Sequence, residues 1–417
     1  MSKTRNAESI WHQWGGNTAA FFAYIHFSHD LSAALLIPLL PLIRESLGLN
    51  YLQSGILLSA YAFTSGLAQL PGGWIGDRIS RRLVIAIGLA GVSVTTLAIG
   101  LSPAYYAMLV ILVIRGIFSG AYHPSATSML SSYVEVTRRG KAIALHMIGG
   151  SMGFALGPIL GGLIANMLGW RFAFIILSIP TLVAAPLVLR KLRQQEPVSS
   201  RLANQSSTEE SVTSQPKQRG ISIGQVLRPI AIIAALVVLT QFISSSAMAF
   251  MPIYLVDKHT IAPVYAAMLI GLIRGGGIIG SLFGGWLSDR WGRKNAIFAA
   301  LVATGPILYL ITRLPYGGGL IVIFILFGMV ALMRQAAVQP FLMDRTPPHL
   351  RATILGLYFA LSLEGGSILH PVTGYFMDIF GIIEVFHVIA LISVALSLVA
   401  LILAKKPIRP MSNKIIS

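Results

Sequence analysis

The sequence predicts an all-α polytopic membrane protein whose twelve transmembrane helices form two pseudo-symmetric six-helix bundles. Three observations lead there. Of 417 residues, 55% are hydrophobic and only 11% charged, whereas a soluble domain carries about a quarter of its residues as charges. Twelve apolar runs are each long enough to cross a bilayer, which takes roughly 20 residues. One eleven-residue pattern occurs twice, 212 positions apart, close to half the chain. Cysteine is absent, so disulfide scaffolds and thiolate metal sites are excluded.

The first six runs lie near 17–43, 52–75, 83–101, 104–132, 142–166 and 170–190, and the second six near 226–256, 263–288, 295–313, 318–343, 353–378 and 382–404. The polar start has no small-residue cleavage site, and the run behind it is too long for a signal-peptide core, so the first helix is expected to be retained. With the N-terminus inside, 24 Lys and Arg fall in inner segments against four outside, Arg44, Arg171, Lys258 and Arg313. The positive-inside rule then puts both termini in the cytoplasm and the chain, multi-pass, in the cell inner (plasma) membrane. Topology accounts for the net charge of +17, and nucleic acid is not an expected partner. Residues 191–225, rich in Ser, Gln and Arg, divide the spans six and six. They read as a cytoplasmic linker between bundles at 1–190 and 226–417, too short to fold as a further domain.

The repeat runs from Gly72 to Arg82, as GGWIGDRISRR, and again from Gly284 to Lys294, as GGWLSDRWGRK, with six of eleven positions identical. Both copies follow the second span of their half, so the halves share one plan. The pattern resembles the loop between helices 2 and 3 of the major facilitator superfamily, Gly-x-x-x-Asp-Arg-x-Gly-Arg-Arg/Lys. Gly285, Asp289, Arg290 and Arg293 complete it in the second copy. The first keeps Gly73, Asp77, Arg78, Arg81 and Arg82 but has Ser80 where the family has Gly, which bears on the turn. A carboxylate beside several guanidinium groups at a helix end can form a charge-assisted latch between helices. Positive-inside topology alone would leave the paired Asp and Gly unexplained.

In the fifth span Gly153, Gly157, Pro158, Gly161 and Gly162 match Gly-x-x-x-Gly-Pro-x-x-Gly-Gly, which resembles a signature of antiporter branches of that superfamily. Close helix packing is the competing explanation of these small residues. Packing also accounts for Gly276, Gly280 and Gly284. A nucleophile-elbow match at Gly149–Gly153 and a dinucleotide fingerprint at Gly275–Gly280 lie within apolar helical runs, without the strand each requires. No catalytic constellation remains, and the chain is not expected to be an enzyme or to carry a cofactor.

Five ionisable residues fall near mid-membrane: Asp30, Arg115, Arg274, Arg334 and Glu364. Such groups cost several kcal/mol unless they face a partner or water, and they mark pathways by default. In the superfamily fold the resemblance implies, the helices carrying them line a central cavity. Asp30 is placed to pair with Arg115, and Glu364 with Arg334 or Arg274, which leaves one arginine over for an anion. Arg115, Arg274, Arg334, Tyr122, His123, Gln241 and Tyr358 are therefore the candidate substrate-binding residues. Asp30, Glu364 and His29 are the candidates for proton coupling, since imidazoles titrate near neutrality. His26 and His29 share a helix face, but without a third ligand they predict no metal site.

Helix 1, with His26-x-x-His29-Asp30, and helix 4, with Tyr122-His123-Pro124, resemble the fosmidomycin-resistance, drug–proton antiporter group. The resemblance implies a proton-coupled secondary transporter that exports a small anionic drug or metabolite by alternating access, with proton-coupled uptake of an organic anion as the alternative. Its partners would be that small molecule, protons and membrane lipid, and it is expected to act as a monomer.

Overall fold

The computed structural model describes residues 13–192, 231–347, 350, 354, 357–358, 361–362 and 365–404, apart from the side chains of Leu70 and Asp77. Among them every regular element is helical. Ten stretches, Gly16–Leu47 and Pro71–Gly100 included, are long and apolar enough to cross a membrane. The helices run in the order α1a (Gly16–Ala33), α1b (Leu36–Leu47), α2 (Tyr51–Ile75), α3 (Arg81–Gly100), α4 (Tyr105–Tyr133), α5 (Arg139–Leu168) and α6 (Trp170–Lys191). The second half continues with α7 (Ala231–His259), α8 (Pro263–Trp291), α9 (Arg293–Arg313), α10 (Gly318–Asp344), α11 (Leu369–Phe380) and α12 (Ile382–Ala404). The linker at 191–225 falls almost wholly outside the described residues, as does the start of the expected eleventh span.

Local sequence explains the irregularities. The first span breaks after Ala33 because Pro38 stands four residues beyond Ala34, and a proline ring clashes with the carbonyl four residues before it. Sharp reversals between helices fall on Gly169, Gly292 and Gly381, at φ 92°, 85° and 88°, where any Cβ would be strained. Gly169 and Gly381 stand 212 apart, the offset of the repeat itself. The position equivalent to Gly292 is Ser80, and there the path differs. A π-helical turn, Gly76–Ser80, replaces the left-handed break. Ser80 has extended backbone, and its Oγ accepts a hydrogen bond from the Leu83 N–H at 3.4 Å.

Two compact units group the described residues. One holds those up to Leu35 together with those from Thr64 through α6, and the other joins Leu36–Phe63 to the described part of the second half. Each is built on glycine contacts between helices. In the first, a Cβ on Gly153 or Gly157 would come within 2.5 or 2.7 Å of the carbonyls of Phe27 and Leu31 on α1. In the second, Gly276, Gly280 and Gly284 of α8 meet Ile325, Met329 and Met333 of α10 in a four-residue register. Absence of a side chain is what lets these backbones touch.

Candidate functional site

In the first unit, α1a, α4 and α5 bring together a buried cluster. Asp30, 3% exposed, has His29 Nδ1 at 2.7 Å from Oδ1 and His26 Nε2 at 3.1 Å from Oδ2. Nε2 of His29 lies 3.0 Å from the Ser119 hydroxyl, and its ring stacks on Tyr122 at 4.6 Å. His123 is half-buried and sits edge-on to His26 and His29, with centroids at 5.4 and 4.7 Å. His146 of α5 stacks on His26 at 4.1 Å. The ligand-capable atoms of His29, Asp30 and His123 lie within 4.8 Å of one another. Helix 4 thus adds a third such group to His29 and Asp30, which hydrogen bonds already occupy, while His26, the other member of the pair read from sequence, is not among the three.

The hydrogen-bond pattern fixes a proton count. Nδ1 of His26 lies 2.9 Å from the His146 carbonyl oxygen, which only accepts, so Nδ1 carries a hydrogen. The contact from Nε2 to Asp30 then needs one proton more, on the imidazole or on the carboxyl group. His29 needs none, because Nδ1–H can donate to Asp30 while the Ser119 hydroxyl donates to Nε2.

Arg115, 2% exposed, donates through Nε to Thr96 Oγ1 and through Nη2 to Ser32 Oγ, both at 3.2 Å. The described contacts to the oxygens of Asp30 come from histidines, and the described hydrogen bonds of Arg115 go to Thr96 and Ser32. A buried carboxylate takes whichever donors lie nearest, and here these are His26 and His29 of α1a itself, with His26 oriented by the His146 carbonyl of α5. His146 went unnoticed in the sequence, and its only signal there was a lone imidazole in an otherwise apolar run. Tyr122 is fully buried, with its hydroxyl unpartnered among the described residues.

The second unit is arranged differently. Arg334, 2% exposed, donates through Nη2 to Gln241 Oε1, and its buried Nη1 has no partner among the described residues. Tyr358 lies near enough to interact with it. Beside them is a cavity of about 250 Å³ lined by Gln241, Ser244, Ser245, Arg274, Gln335 and His370 among others, with no acid among its described lining. The Ser244 hydroxyl and His370 Nδ1 are also buried without partners among the described residues. Glu364, offered as the counter-charge, lies outside the described residues.

At the repeat loops, Gly73 faces Pro124, and Arg78 lies over the Trp74 ring at 4.2 Å. Arg81 is half-buried, and the side chain of Asp77 is outside the described residues. In the second copy Gly285 faces open space, Asp289 is exposed, and Arg290 stacks on Trp286 at 5.0 Å. Arg293 pairs with Asp344 at the end of α10 and donates to the Pro340 carbonyl. Asp344 was the partner that motif spacing could not reveal. Gly153, Gly157, Pro158, Gly161 and Gly162 are all buried in α5, with the first two against α1.

Comparison with known proteins agrees with this architecture. Residues 22–370 match the family model of the Major Facilitator Superfamily, and the chain belongs to that family of membrane transporters. It is 21% identical to the Fosmidomycin resistance protein of Escherichia coli (strain K12), over 85% of this chain and 84% of that one. It is 23% identical to the Cis,cis-muconate transport protein of Acinetobacter baylyi (strain ATCC 33305 / BD413 / ADP1), over 87% and 88%. The solved structure of nucleoside transporter NupG superposes with a TM-score of 0.76 at 16% identity, over 94% of this chain and 100% of that one. The chain is thus a multi-pass transporter of small molecules, and not an enzyme.

Proposed function

We propose that this transporter is a proton-coupled antiporter that exports a small organic anion by alternating access. The observation that carries the reading is Arg334: a guanidinium 2% exposed whose Nη1 has no partner among the described residues, beside a cavity without a described acid. A buried charge without a counter-charge costs several kcal/mol, and an anionic cargo would remove that cost each time it binds. Carboxylate and phosphonate oxygens suit the paired donors of arginine. Arg274, Gln241, Gln335 and Tyr358 would complete the cargo's surroundings.

Protons would be carried by Asp30 with His26 and His29. The extra proton that the His26–Asp30 contact requires is the reason to place coupling there, with Glu364 as the other candidate. The motif of α5 and the likeness to a fosmidomycin resistance protein favour export. The likeness to a cis,cis-muconate transport protein supports the second reading, proton-coupled uptake of an organic anion. Both readings place the chain in the cell inner membrane with cytoplasmic termini, two bundles at 1–190 and 226–417 joined by a 191–225 linker, and a monomer as the working unit.

The test is flux in vesicles reconstituted with the purified protein under an imposed pH gradient, with fosmidomycin and cis,cis-muconate as probes. Antiport predicts uptake into vesicles that are acidic inside, and symport predicts uptake into vesicles that are alkaline inside. Flux indifferent to the gradient would end both readings.

A further inference from the structure

The small residues of α5 do unequal work. Gly149, Gly153 and Gly157 face the backbone of α1a at Ala23, Phe27 and Leu31, whereas Gly150 faces the charged cluster. A Cβ on Gly150 would stand 2.6 Å from Asp30 Oδ2 and 2.6 Å from His26 Nε2, the two atoms between which the extra proton lies. One turn earlier on the same helix, the His146 carbonyl holds His26 Nδ1 at 2.9 Å. That bond fixes the tautomer and turns Nε2 toward Asp30. So α5 supplies both the acceptor that orients the imidazole and the gap that lets the carboxylate reach it.

We propose that Gly150 and the His146 carbonyl are positioning elements for the proton shared by His26 and Asp30, so that displacement of α5 along α1a changes how tightly that proton is held. The proposal rests on the cluster being the proton-carrying site. The groups facing the pair are few. His29 and Ser32 come from α1a itself, Thr96 from α3 through Arg115, and Arg115, Ser119, Tyr122 and His123 from α4. His146 is the titratable side chain contributed by α5, and its own Nδ1 is tied to the Phe22 carbonyl at 2.9 Å. Among the described residues, and apart from the α1a side chains themselves, α5 alone makes a hydrogen bond to His26. A shift of one helix past another is also a common conformational step in proteins that switch states. Proton affinity and helix position are then linked: whatever moves α5 alters the proton site, and loading the proton favours one position of α5.

The experiment follows the carboxyl stretch of Asp30 by infrared spectroscopy across pH, on the full chain purified into liposomes, with the band assigned by its loss in Asp30→Asn. Gly150→Ala should move the titration midpoint by about one pH unit, a tenfold change in proton affinity. Gly153→Ala is the control: it puts a methyl at 2.5 Å from the Phe27 carbonyl in the same helix contact, and should lower thermal stability without moving the midpoint. An unmoved midpoint in Gly150→Ala, or an equal shift in Gly153→Ala, overturns the proposal. Nitrogen NMR of labelled histidine in the unsubstituted protein gives a second measurement that does not depend on the variants folding. It should find His26 Nδ1 protonated, and a bare Nδ1 would overturn the proposal too. A carboxyl band that survives Asp30→Asn would instead remove the proton-site reading on which the proposal rests.

Discussion

The two halves are copies of one plan, yet they handle buried charge in opposite ways. The first encloses its carboxylate among imidazoles: Asp30 is held by His26 and His29, and Arg115 is satisfied by Thr96 and Ser32. The second leaves Arg334 Nη1 without a partner among the described residues, near a cavity whose described lining has no acid. A site that completes its own hydrogen bonds is suited to a particle as small as a proton, which enters by moving between existing partners. A site that leaves donors open is suited to a ligand that brings acceptors with it. On the proposed reading, duplication supplied the scaffold twice, and divergence of a few mid-membrane residues gave the halves these two tasks.

The comparison breaks most directly at the arginines. Arg334→Ala should weaken binding of small carboxylate and phosphonate probes by about a hundredfold, the loss of two charge-assisted hydrogen bonds at about 1.5 kcal/mol each. Because it removes a buried charge with no counter-charge among the described residues, thermal stability should stay level or rise. Arg115→Ala should do the reverse, lowering stability by about 1–3 kcal/mol through the loss of its hydrogen bonds to Thr96 and Ser32, with a smaller effect on binding. Calorimetric binding and thermal unfolding of both variants check the pair. If Arg334→Ala destabilises as much as Arg115→Ala, both arginines are structural and the contrast between the halves fails.

The next effect is on coupling. Asp30→Asn removes the charge around which the histidines are arranged. Flux down the substrate's own gradient should persist, while accumulation driven by a pH gradient should fall to the level seen without one. Full gradient-driven accumulation by this variant would place the proton elsewhere, with Glu364 the next position to test.

A smaller asymmetry is expected between the loops. Asp289 is exposed, and Arg293 of that copy is paired with Asp344, so Asp289→Asn should leave flux close to normal. Asp77 is flanked by Arg78, Arg81 and Arg82, and Asp77→Asn should slow flux about fivefold through an altered balance of conformations. Equal rates in the two variants would make the repeat a topology signal in both halves. Asp344→Asn, acting on the pair that does form, should resemble Asp77→Asn more than Asp289→Asn.

The architecture was legible because its causes are local. Span length, the positions of prolines and glycines, and the repeat at an offset of 212 residues all lie in the sequence. Mid-membrane charges were legible for the same reason, since their cost is independent of their partners. Partners were not legible. Asp30 was matched with Arg115 by opposite charge and similar depth, but depth says nothing about azimuth. The glycine contacts that set azimuth bring His146 to His26, and they do so across 120 residues of sequence. Asp344 escaped notice likewise, because an acid at the end of a span looks the same whether it faces solvent or a neighbouring arginine.

The last contrast concerns the turn where the copies differ, and it separates backbone strain from side-chain fit. Gly292 sits at φ 85° with nothing within 4 Å of where a Cβ would be. A serine there would therefore meet no neighbour, and only the left-handed backbone would resist it, at a cost of about 1–2 kcal/mol. Ser80 has φ −173° and gives one long cap bond to α3, so Ser80→Gly should cost only a few tenths of a kcal/mol, as at other helix N-caps. Thermal unfolding should thus rank Gly292→Ser well above Ser80→Gly, although each writes one copy's residue into the other. Equal costs would mean that the π-helical turn at Gly76–Ser80 depends on the serine itself. The predicted inequality means that neighbouring helix contacts hold that turn, and that Ser80 is tolerated because the chain no longer needs a left-handed residue there.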